Sequence, residues 1–289
     1  MAIIELHDVS KLYGFGDATT LALDEINLSV EEGEFIAVMG PSGSGKSTLM
    51  NIIGLLDRPT YGSYSLSNRS VAKLRPNRQA RIRRDKIGFV FQSFNLLPNL
   101  SVIENVALPL AYKGMSSVRR LKLASAMLGR IGLEDRQYFM PRQLSGGQTQ
   151  SVAIARALIN NPSIIIADEP TGNLDSDSSL LIMELLSEIH AMGTTILLVT
   201  HNSGLTRFAT RVVFMSDGAI VHEELTNVGE IAPTFRRNSY GLTVKTVEDD
   251  LAGVSALMKV IPDITPAKPN KNKKSNRWKK KKQPGRRRK

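Results

Sequence analysis

Cysteine is absent from the 289-residue sequence, and aromatic residues make up only 6% of it. Without cysteine the chain forms no disulfide and offers no thiolate to a metal or a substrate. No uncharged apolar run approaches the roughly 20 residues that a membrane-spanning helix needs. Residues 1–5, MAIIE, lack the basic and apolar regions of a signal peptide. We therefore expect a chain compatible with a reducing cytosol that does not cross a membrane by itself.

Positive charge is concentrated at the C-terminus. The formal net charge is +11, but thirteen Lys or Arg residues and no acidic residue lie in residues 268–289, so the rest of the chain carries −2. The apolar fraction of 42% and the charged fraction of 22% are those of an ordinary globular protein. We predict a folded body followed by a basic tail at 263–289, too rich in Pro, Asn, Lys and Arg to fold.

Residues 1–225 alternate apolar, β-branched runs with helical patterns, which is typical of an α/β fold with a largely parallel sheet. The runs at 35–39, 163–167 and 195–199 are predicted to be central strands buried on both faces. Residues 93–145 lack a comparable run and are predicted to form a helical insertion. After residue 225 the rhythm stops, so residues 226–262 are predicted to be a C-terminal extension of unknown role.

A glycine-rich octapeptide follows the first predicted central strand. Residues 40–47, GPSGSGKS, fit the phosphate-loop pattern G-x-x-x-x-G-K-[ST]. Such glycines let successive backbone N–H groups converge on phosphate oxygens, and the following helix N-terminus adds a favourable dipole. We expect Lys46 to reach the β- and γ-phosphates and the Ser47 hydroxyl to bind Mg²⁺. The predicted nucleotide-binding residues are Gly40, Pro41, Ser42, Gly43, Ser44, Gly45, Lys46, Ser47 and Thr48.

Two acidic residues, Asp168 and Glu169, stand at the end of the apolar run at 164–167. Paired acids at a strand end are commonly no more than solvated, but here they accompany a phosphate loop. We predict that Asp168 holds Mg²⁺ through water and that Glu169 polarises the attacking water. Together the two motifs predict a nucleoside triphosphatase.

The pentapeptide LSGGQ at residues 144–148 precedes the predicted Asp-Glu strand. Alone, it could be an ordinary helix N-terminus with Ser145 as the N-cap. In its order and spacing it resembles the signature motif of ATP-binding-cassette (ABC) ATPases. The resemblance implies that Ser145, Gly146, Gly147 and Gln148 contact ATP held by a second subunit, in a head-to-tail homodimer. It covers residues 2–225 and implies a P-loop NTPase of ABC type, with a mostly parallel core sheet, an antiparallel β subdomain and a helical subdomain.

Other residues match further positions of the family's pattern. The resemblance implies that Gln92 senses Mg²⁺ and the permease, that His201 contacts the γ-phosphate, and that Tyr13 stacks on adenine. Asp175, in the run NLD at 173–175, matches the loop that communicates across the dimer. The implied catalytic residues are thus Glu169, His201 and Gln92, and the implied metal-binding residues are Ser47, Gln92 and Asp168, with ATP and Mg²⁺ as cofactors.

Three phrases resemble the ABC subgroup that serves macrolide exporters and lipoprotein-releasing machines. They are IGLLDRPT at 53–60, GFVFQSFNLLP at 88–98 and DEPTGNLD at 168–175. The chain departs from that subgroup after the signature, where Thr149 and Ser151 replace the glutamine and the arginine that usually flank a second glutamine, here Gln150. We expect the departure to lower turnover modestly and to leave nucleotide binding intact.

The basic tail has three interpretations. It is a solvated charge run, an attachment to anionic lipid beside a permease, or a contact to nucleic acid or the ribosome. Trp278 among the lysines fits the second of these.

The resemblance implies an ATP-hydrolysing subunit that powers a separate integral membrane permease from the cytoplasmic face of the membrane. Export, or mechanical work on extracytoplasmic peptides, lipoproteins or drugs, is the expected role. Two alternatives remain at this stage. One is a low-turnover regulatory ATPase of a septum-type complex. The other is a soluble ABC protein of the ribosome or nucleic acid, although nucleic acid is not the expected partner because the chain has only one phosphate loop.

Overall fold

The computed structural model describes residues 1–14 and 18–226. The predictions made for the C-terminal extension beyond residue 226 and for the basic tail at 263–289 lie outside the described residues.

A six-stranded sheet carries the motifs predicted to bind nucleotide. Its members are β3 (Phe35–Met39), β6 (Ile87–Phe91), β7 (Ile164–Asp168), β8 (Thr195–Val199), β9 (Arg211–Ser216) and β10 (Ala219–Leu225). The order is β10-β9-β3-β8-β7-β6, parallel throughout except for β10, which pairs antiparallel with β9. Every residue of β3 and β8 is buried, as unbroken apolar runs predict for strands covered on both faces. The parallel strands therefore end at one common edge.

An antiparallel sheet stands before and after β3 in the chain. It consists of β1 (Ala2–Tyr13), β2 (Thr20–Glu31), β4 (Tyr61–Leu66) and β5 (Arg69–Ser70), in the order β2-β1-β4-β5. Its buried side chains, such as Leu6 and Val9, share one apolar cluster with Ile36 and Val38 of β3. The end of β1 at Tyr13 pairs with Thr20 of β2, and nearby Ala22 of β2 lies beside Gly45 of the phosphate loop.

Helices cover the parallel sheet and fill the predicted insertion. They are α1 (Lys46–Ile53), α2 (Pro76–Lys86), α3 (Val102–Tyr112), α4 (Ser117–Arg130), α5 (Gly146–Leu158) and α6 (Ser176–Ala191). Short 3₁₀ helices lie at Glu134–Arg136, Pro141–Gln143 and Ser203–Phe208. Within the described residues, none of these helices is both long enough and apolar enough to span a bilayer.

Residues 93–145 contain α3 and α4 and no strand. Their apolar side chains form a separate cluster that includes Val106, Leu128 and, from α5, Val152 and Ala155. Since α5 also packs against β6, it joins this helical region to the parallel sheet. The predicted fold class, a mostly parallel core sheet with an antiparallel β subdomain and a helical subdomain, is confirmed.

Candidate nucleotide-hydrolysing site

The phosphate loop leaves the carboxyl end of β3 and enters α1. Gly43 and Gly45 have φ angles of +84° and +96°, which L side chains rarely adopt. Gly40 packs so closely that a Cβ would lie 2.2 Å from the Met215 carbonyl oxygen. The Lys46 ammonium donates to the carbonyl oxygens of Gly40 and Pro41, at 2.8 and 2.7 Å. Lys46 is thereby held over the loop that it was predicted to serve.

This loop fits an anionic ligand. No acidic residue occupies the first turn of α1, so nothing opposes the positive end of its dipole. Gly45 precedes α1 without a side-chain cap, which leaves the first backbone N–H groups for another acceptor. The Ser44 hydroxyl is buried and has no hydrogen-bond partner among the described residues. Donors without acceptors at a helix N-terminus are what a phosphate group requires.

Two predicted catalytic residues, Glu169 and His201, and the predicted metal-binding residue Asp168 lie at the ends of β7 and β8. Asp168 is the last residue of β7, and Glu169 follows it in a left-handed conformation, with φ of +43°. The Glu169 backbone N–H donates to the Val199 carbonyl oxygen at 2.8 Å. His201 Nδ1 lies 2.6 Å from Glu169 Oε1. The His201 side chain is 68% exposed and that of Glu169 only 22%, so the imidazole stands between the carboxylate and solvent.

The environment of Asp168 is matched to a cation. Burial raises the pKa of the Asp168 carboxyl, the neighbouring Glu169 charge raises it further, and Lys46 opposes both. Two adjacent carboxylates with one ammonium nearby leave local negative charge that a divalent ion would neutralise. Among the described residues no group of three or more His, Cys, Asp or Glu side chains could hold a metal. Mg²⁺ commonly binds through one or two carboxylates plus substrate phosphates, and the single Asp168 with the Ser47 hydroxyl fits that pattern.

Gln92 follows the end of β6 and is tied to the segment after Glu169. Its Nε2 donates to Asn173 Oδ1 at 3.4 Å, and Asn173 Nδ2 donates back to the Gln92 carbonyl oxygen at 3.0 Å. Gly172 allows this approach, because a Cβ there would lie 2.6 Å from Gln92 Nε2. The structure thus brings Gln92 close to the loop that bears Asp175, with Asp168 on the adjacent strand.

The signature residues form the N-terminus of α5 through a reciprocal capping box. Ser145 Oγ accepts from the Gln148 backbone N–H at 3.2 Å, and Gln148 Oε1 accepts from the Ser145 backbone N–H at 3.1 Å. Gly146 and Gly147 occupy the first two helical positions. A Cβ on Gly147 would lie 3.0 Å from Ser178 Oγ, and one on Gly146 would lie 3.1 Å from Leu174 Cδ2. Here the glycines permit close packing against the start of α6.

Asp175 also caps a helix. Its two carboxylate oxygens accept from the Ser178 backbone N–H at 2.9 Å and from the Ser178 hydroxyl at 2.8 Å. These bonds, the backbone one first, lower the pKa of Asp175. The structure therefore gives Asp175 an N-cap role at α6, and its contact with nucleotide or a partner remains a prediction.

Sequence reasoning assigned no role to two residues of α5 that hold the Gln92 segment. Gln150 is fully buried and donates from Nε2 to the carbonyl oxygen of Phe91, next to Gln92, at 3.3 Å and to that of Pro170 at 2.7 Å. Arg156 donates from its guanidinium to the carbonyl oxygens of Phe94, at 2.9 Å, and Asn95. Phe94 and Asn95 both have positive φ angles, which no sequence pattern around them predicted.

This fold and this site define a phosphate-loop nucleoside triphosphatase with a helical subdomain. The family profile described as "ABC transporter" matches residues 23–172 of the chain, more than half of its length. The chain belongs to that family and is an ABC-type ATPase.

The chain is similar to several full-length ATP-binding proteins and solved cassettes. It is 50% identical to an uncharacterized ABC transporter ATP-binding protein of Bacillus subtilis, over 77% of this chain and 97% of the relative. A solved dimeric ATP-binding cassette, described as a post-hydrolysis state bound to ADP and Pi, is 48% identical with a TM-score of 0.71. That match covers 77% of this chain and 98% of the solved one.

Relatives with a combined architecture also match. The chain is 47% identical to the macrolide export ATP-binding/permease protein of Hyphomonas neptunium, over 81% of this chain. It spans only about a third of that relative's length, 37%. The resemblance to an ABC ATPase is therefore confirmed, while the relative's export activity is a property of the longer protein.

Proposed function

We propose that this chain hydrolyses Mg²⁺-ATP as the nucleotide-binding subunit of a membrane transporter and acts with its permease at the cytoplasmic face of the membrane. The observation that carries the proposal is the Glu169–His201 pair, 2.6 Å apart, at the common edge of the sheet from which the phosphate loop also emerges. A base and a phosphate cradle at one sheet edge are what water attack on a γ-phosphate requires.

Each residue contributes a distinct step. Lys46 neutralises charge on the β- and γ-phosphates, and the N–H groups at the start of α1 bind phosphate oxygens. Glu169 accepts a hydrogen bond from the attacking water and so orients that water, while His201 holds the Glu169 carboxylate in place. Ser47, Asp168 and Gln92 would hold Mg²⁺, which when bound offsets phosphate charge.

A second subunit completes the proposed site. The α5 N-terminus, with Ser145 and the two glycines, carries no acidic residue in its first turn and suits a phosphate as α1 does. We infer that it meets ATP bound to a partner copy in a head-to-tail homodimer. Support comes from the similar solved cassette, which is described as dimeric and bound to ADP and Pi.

Export is the transport role that the relatives favour. Similar proteins from Hyphomonas neptunium and Sodalis glossinidius are named macrolide export ATP-binding/permease proteins. We extend this to export, or extracytoplasmic mechanical work, on peptides, lipoproteins or drugs. The basic tail would then contact anionic lipid beside the permease, where each cation contributes about 1 kcal/mol.

The test uses Glu169→Gln, which retains the shape of the side chain and removes its basicity. We expect hydrolysis to fall at least about 100-fold, and we expect ATP to hold the variant as a dimer in size-exclusion chromatography. Affinity purification of this variant from gently solubilised membranes should recover a polytopic membrane protein. Glu188→Gln, a change at a partly buried carboxylate of α6, is the matched control and should leave all three measurements unchanged.

Ribosomal proteins or nucleic acid in that purification, without a permease, would overturn the transporter proposal. The tail is tested by comparing the full chain with a chain ending at residue 262 for cosedimentation with vesicles containing anionic lipid, and with RNA. Loss of vesicle binding on truncation supports lipid contact. Equal binding by both chains contradicts it.

A second candidate, a low-turnover regulatory ATPase, is favoured by the altered flank of the signature. Thr149 Oγ1 and Ser151 Oγ donate to the carbonyl oxygens four residues earlier, at 2.7 and 3.0 Å. Such bonds bend or slightly destabilise a helix. A basal rate of ATP hydrolysis far below the ordinary enzymatic range of about 1 s⁻¹ or more would favour this candidate.

A further inference from the structure

Tyr13, the residue predicted to stack on adenine, is held by two side chains to which no role has been assigned. Its hydroxyl donates to Asp57 Oδ2 at 2.9 Å. The other oxygen of the same carboxylate accepts from the Lys11 ammonium at 2.8 Å. The Lys11 ammonium in turn lies over the Tyr13 ring, 4.8 Å from its centroid. The three side chains therefore form a closed set of contacts.

Further hydrogen bonds hold Lys11 and Asp57 in this arrangement. Lys11 also donates to the Arg58 carbonyl oxygen at 2.8 Å, and its side chain is only 12% exposed. The Arg58 backbone N–H donates to Asp57 Oδ1 at 2.7 Å. Because Asp57 accepts three hydrogen bonds, its carboxylate has little freedom to turn away from the Tyr13 hydroxyl. Together these bonds outweigh burial and lower the pKa of Asp57, so the acceptor stays ionised.

The same contacts connect Tyr13 to the phosphate-loop helix. Asp57 lies just beyond the end of α1, and its backbone N–H donates to the Asn51 carbonyl oxygen of that helix at 3.1 Å. On the other side, the Leu12 backbone N–H donates to Thr60 Oγ1 at 3.1 Å. The end of β1 is thus joined to the segment that follows α1, the helix that begins at the phosphate loop. A base stacked on Tyr13 and phosphates bound at α1 would be set at a defined separation.

One face of the Tyr13 ring is occupied by the Lys11 ammonium, which leaves the opposite face for a ligand. The Tyr13 residue is 42% exposed. A cation on one face of a tyrosine is attracted by the ring's quadrupole and keeps the ring from turning. Holding a side chain in its bound conformation reduces the ordering cost of binding, which is about 2- to 12-fold in affinity for one flexible side chain.

We propose that Asp57 and Lys11 are positioning residues that orient the Tyr13 ring for the base of the nucleotide and so give the site its preference for a nucleotide over a bare polyphosphate. This inference rests on the proposed nucleotide site and adds to it the means by which the base is recognised. Asp57 and Lys11 do not touch the reacting phosphates, so they act on binding of the base and not on the chemical step.

The experiment titrates the full chain with Mg²⁺-ADP and, separately, with Mg²⁺-pyrophosphate, which lacks the base. In Asp57→Asn we expect the Kd for ADP to rise about 3- to 10-fold while the Kd for pyrophosphate stays constant. The KM for ATP should rise by a similar factor with kcat unchanged. Lys11→Met should act in the same direction. Asp85→Asn breaks a comparable ion pair with Arg84 away from Tyr13, and both affinities should remain those of the wild type.

A double-mutant comparison tests whether Asp57 acts through the tyrosine. Tyr13→Phe retains the ring and removes the hydroxyl, so Asp57→Asn added to it should change the Kd for ADP by less than twofold. Fully multiplicative effects would overturn the proposal, as would an equal loss of affinity for ADP and pyrophosphate, or no loss in Asp57→Asn. A wild-type chain that binds neither ligand would instead refute the proposed nucleotide site.

Discussion

A Gly-Ser-rich segment precedes α1, and another forms the N-terminus of α5. Both N-termini are proposed to bind phosphate, but their glycines have different structural roles. Before α1, Gly43 and Gly45 adopt positive φ angles that other residues reach only at a cost. At α5, Gly146 and Gly147 have ordinary helical geometry, and what matters is the closeness of Leu174 and Ser178. The first terminus depends on backbone conformation and the second on space.

The two helix N-termini also differ in how their backbone N–H groups are capped. Gly45 offers no side-chain acceptor to α1, so the N–H groups there remain for a ligand. At α5 the Ser145–Gln148 capping box already satisfies two donors. We expect this difference between a helix terminus that binds phosphate within one subunit and a helix terminus that meets a partner's nucleotide only in the dimer. Substitutions at the two termini should therefore have different effects on nucleotide binding and on turnover.

The largest expected effect is at the phosphate loop, in Gly45→Ala. The new Cβ would be strained at φ of +96° and would lie 2.7 Å from the Ala22 carbonyl oxygen. We expect nucleotide affinity to fall at least about 100-fold, because a shift of the loop removes several N–H···phosphate bonds that are worth about 1.5–3 kcal/mol each. Isothermal titration with Mg²⁺-ADP measures the effect.

Gly193→Ala controls for strain alone. Gly193 also has a positive φ, +92°, but a Cβ there meets nothing within 4 Å and the residue lies beyond α6. We expect it to cost about 1–3 kcal/mol of stability and to leave nucleotide affinity unchanged. Equal losses of affinity in the two variants would show that strain, and not the phosphate site, explains Gly45→Ala.

At the signature end, Gly147→Ala should reduce hydrolysis about 10-fold or more while the single subunit still binds nucleotide. Alanine favours the helix by about 1 kcal/mol over glycine, so the variant should remain folded. Its Cβ, however, would displace Ser178, whose hydroxyl donates to Asp175. Turnover measured against protein concentration, beside titration with Mg²⁺-ADP, separates the two effects.

Gly129→Ala is the matched control for a helical glycine with room. Its Cβ would lie 3.7 Å from Glu134 Oε2, an ordinary contact. Hydrolysis in that variant should be unchanged. If Gly147→Ala instead lost nucleotide affinity in the single subunit, the N-terminus of α5 would not be a site that acts only in the dimer.

The sequence predicted the phosphate loop, the Asp168–Glu169 strand end and the fold class, because each depends on local spacing. Glycines at fixed intervals after an apolar run dictate a turn, and an unbroken apolar run dictates a buried strand. The contacts of Tyr13 with Asp57 were not predictable, since 44 residues separate them and no periodic pattern connects the pair. Nor did any pattern foretell the left-handed backbone of Glu169 or the N-cap bonds of Asp175, which depend on how loops meet in three dimensions.

Asp168→Asn sharpens the comparison on the α1 side, where a partly buried acid lies in the field of Lys46. A pKa raised in the folded state means that the ionised carboxylate destabilises the fold above that pKa, and that this penalty disappears as the pH falls through it. We expect the variant to lose hydrolysis yet gain about 0.5–1 kcal/mol of stability at pH 8, a small gain because the side chain is only partly buried. The gain in Tm should shrink as the pH falls through the raised pKa of Asp168, and it should vanish below the ordinary Asp value of 3.8, where the carboxyl is protonated in both the folded and the unfolded chain.

Asp85→Asn should change the Tm at pH 8 in the opposite direction to Asp168→Asn. A hydrogen bond from Arg84 lowers the pKa of Asp85, so its ionised form stabilises the fold, and that contribution is lost as the pH falls. The variant should therefore lower Tm at pH 8, and this effect should persist at pH 4 and shrink only as the pH falls below the ordinary Asp value of 3.8. If both variants changed Tm in the same direction at pH 8, the electrostatic account of Asp168 would be wrong.

The smallest expected effect concerns the flank of the signature, where Ser151→Arg restores the residue of the resembling subgroup. The Ser151 hydroxyl donates to the Gly147 carbonyl oxygen at 3.0 Å, within the turn that is proposed to approach the partner's phosphate. Removing this bond should straighten the first turn of α5, and the arginine adds a positive charge near it. We expect turnover to rise about two- to threefold with unchanged affinity for Mg²⁺-ADP. Ser151→Ala removes the bond without adding charge, so an equal rise in both variants would assign the effect to helix geometry. A rise in Ser151→Arg alone would assign it to charge, and no change in either would make the departure neutral for hydrolysis.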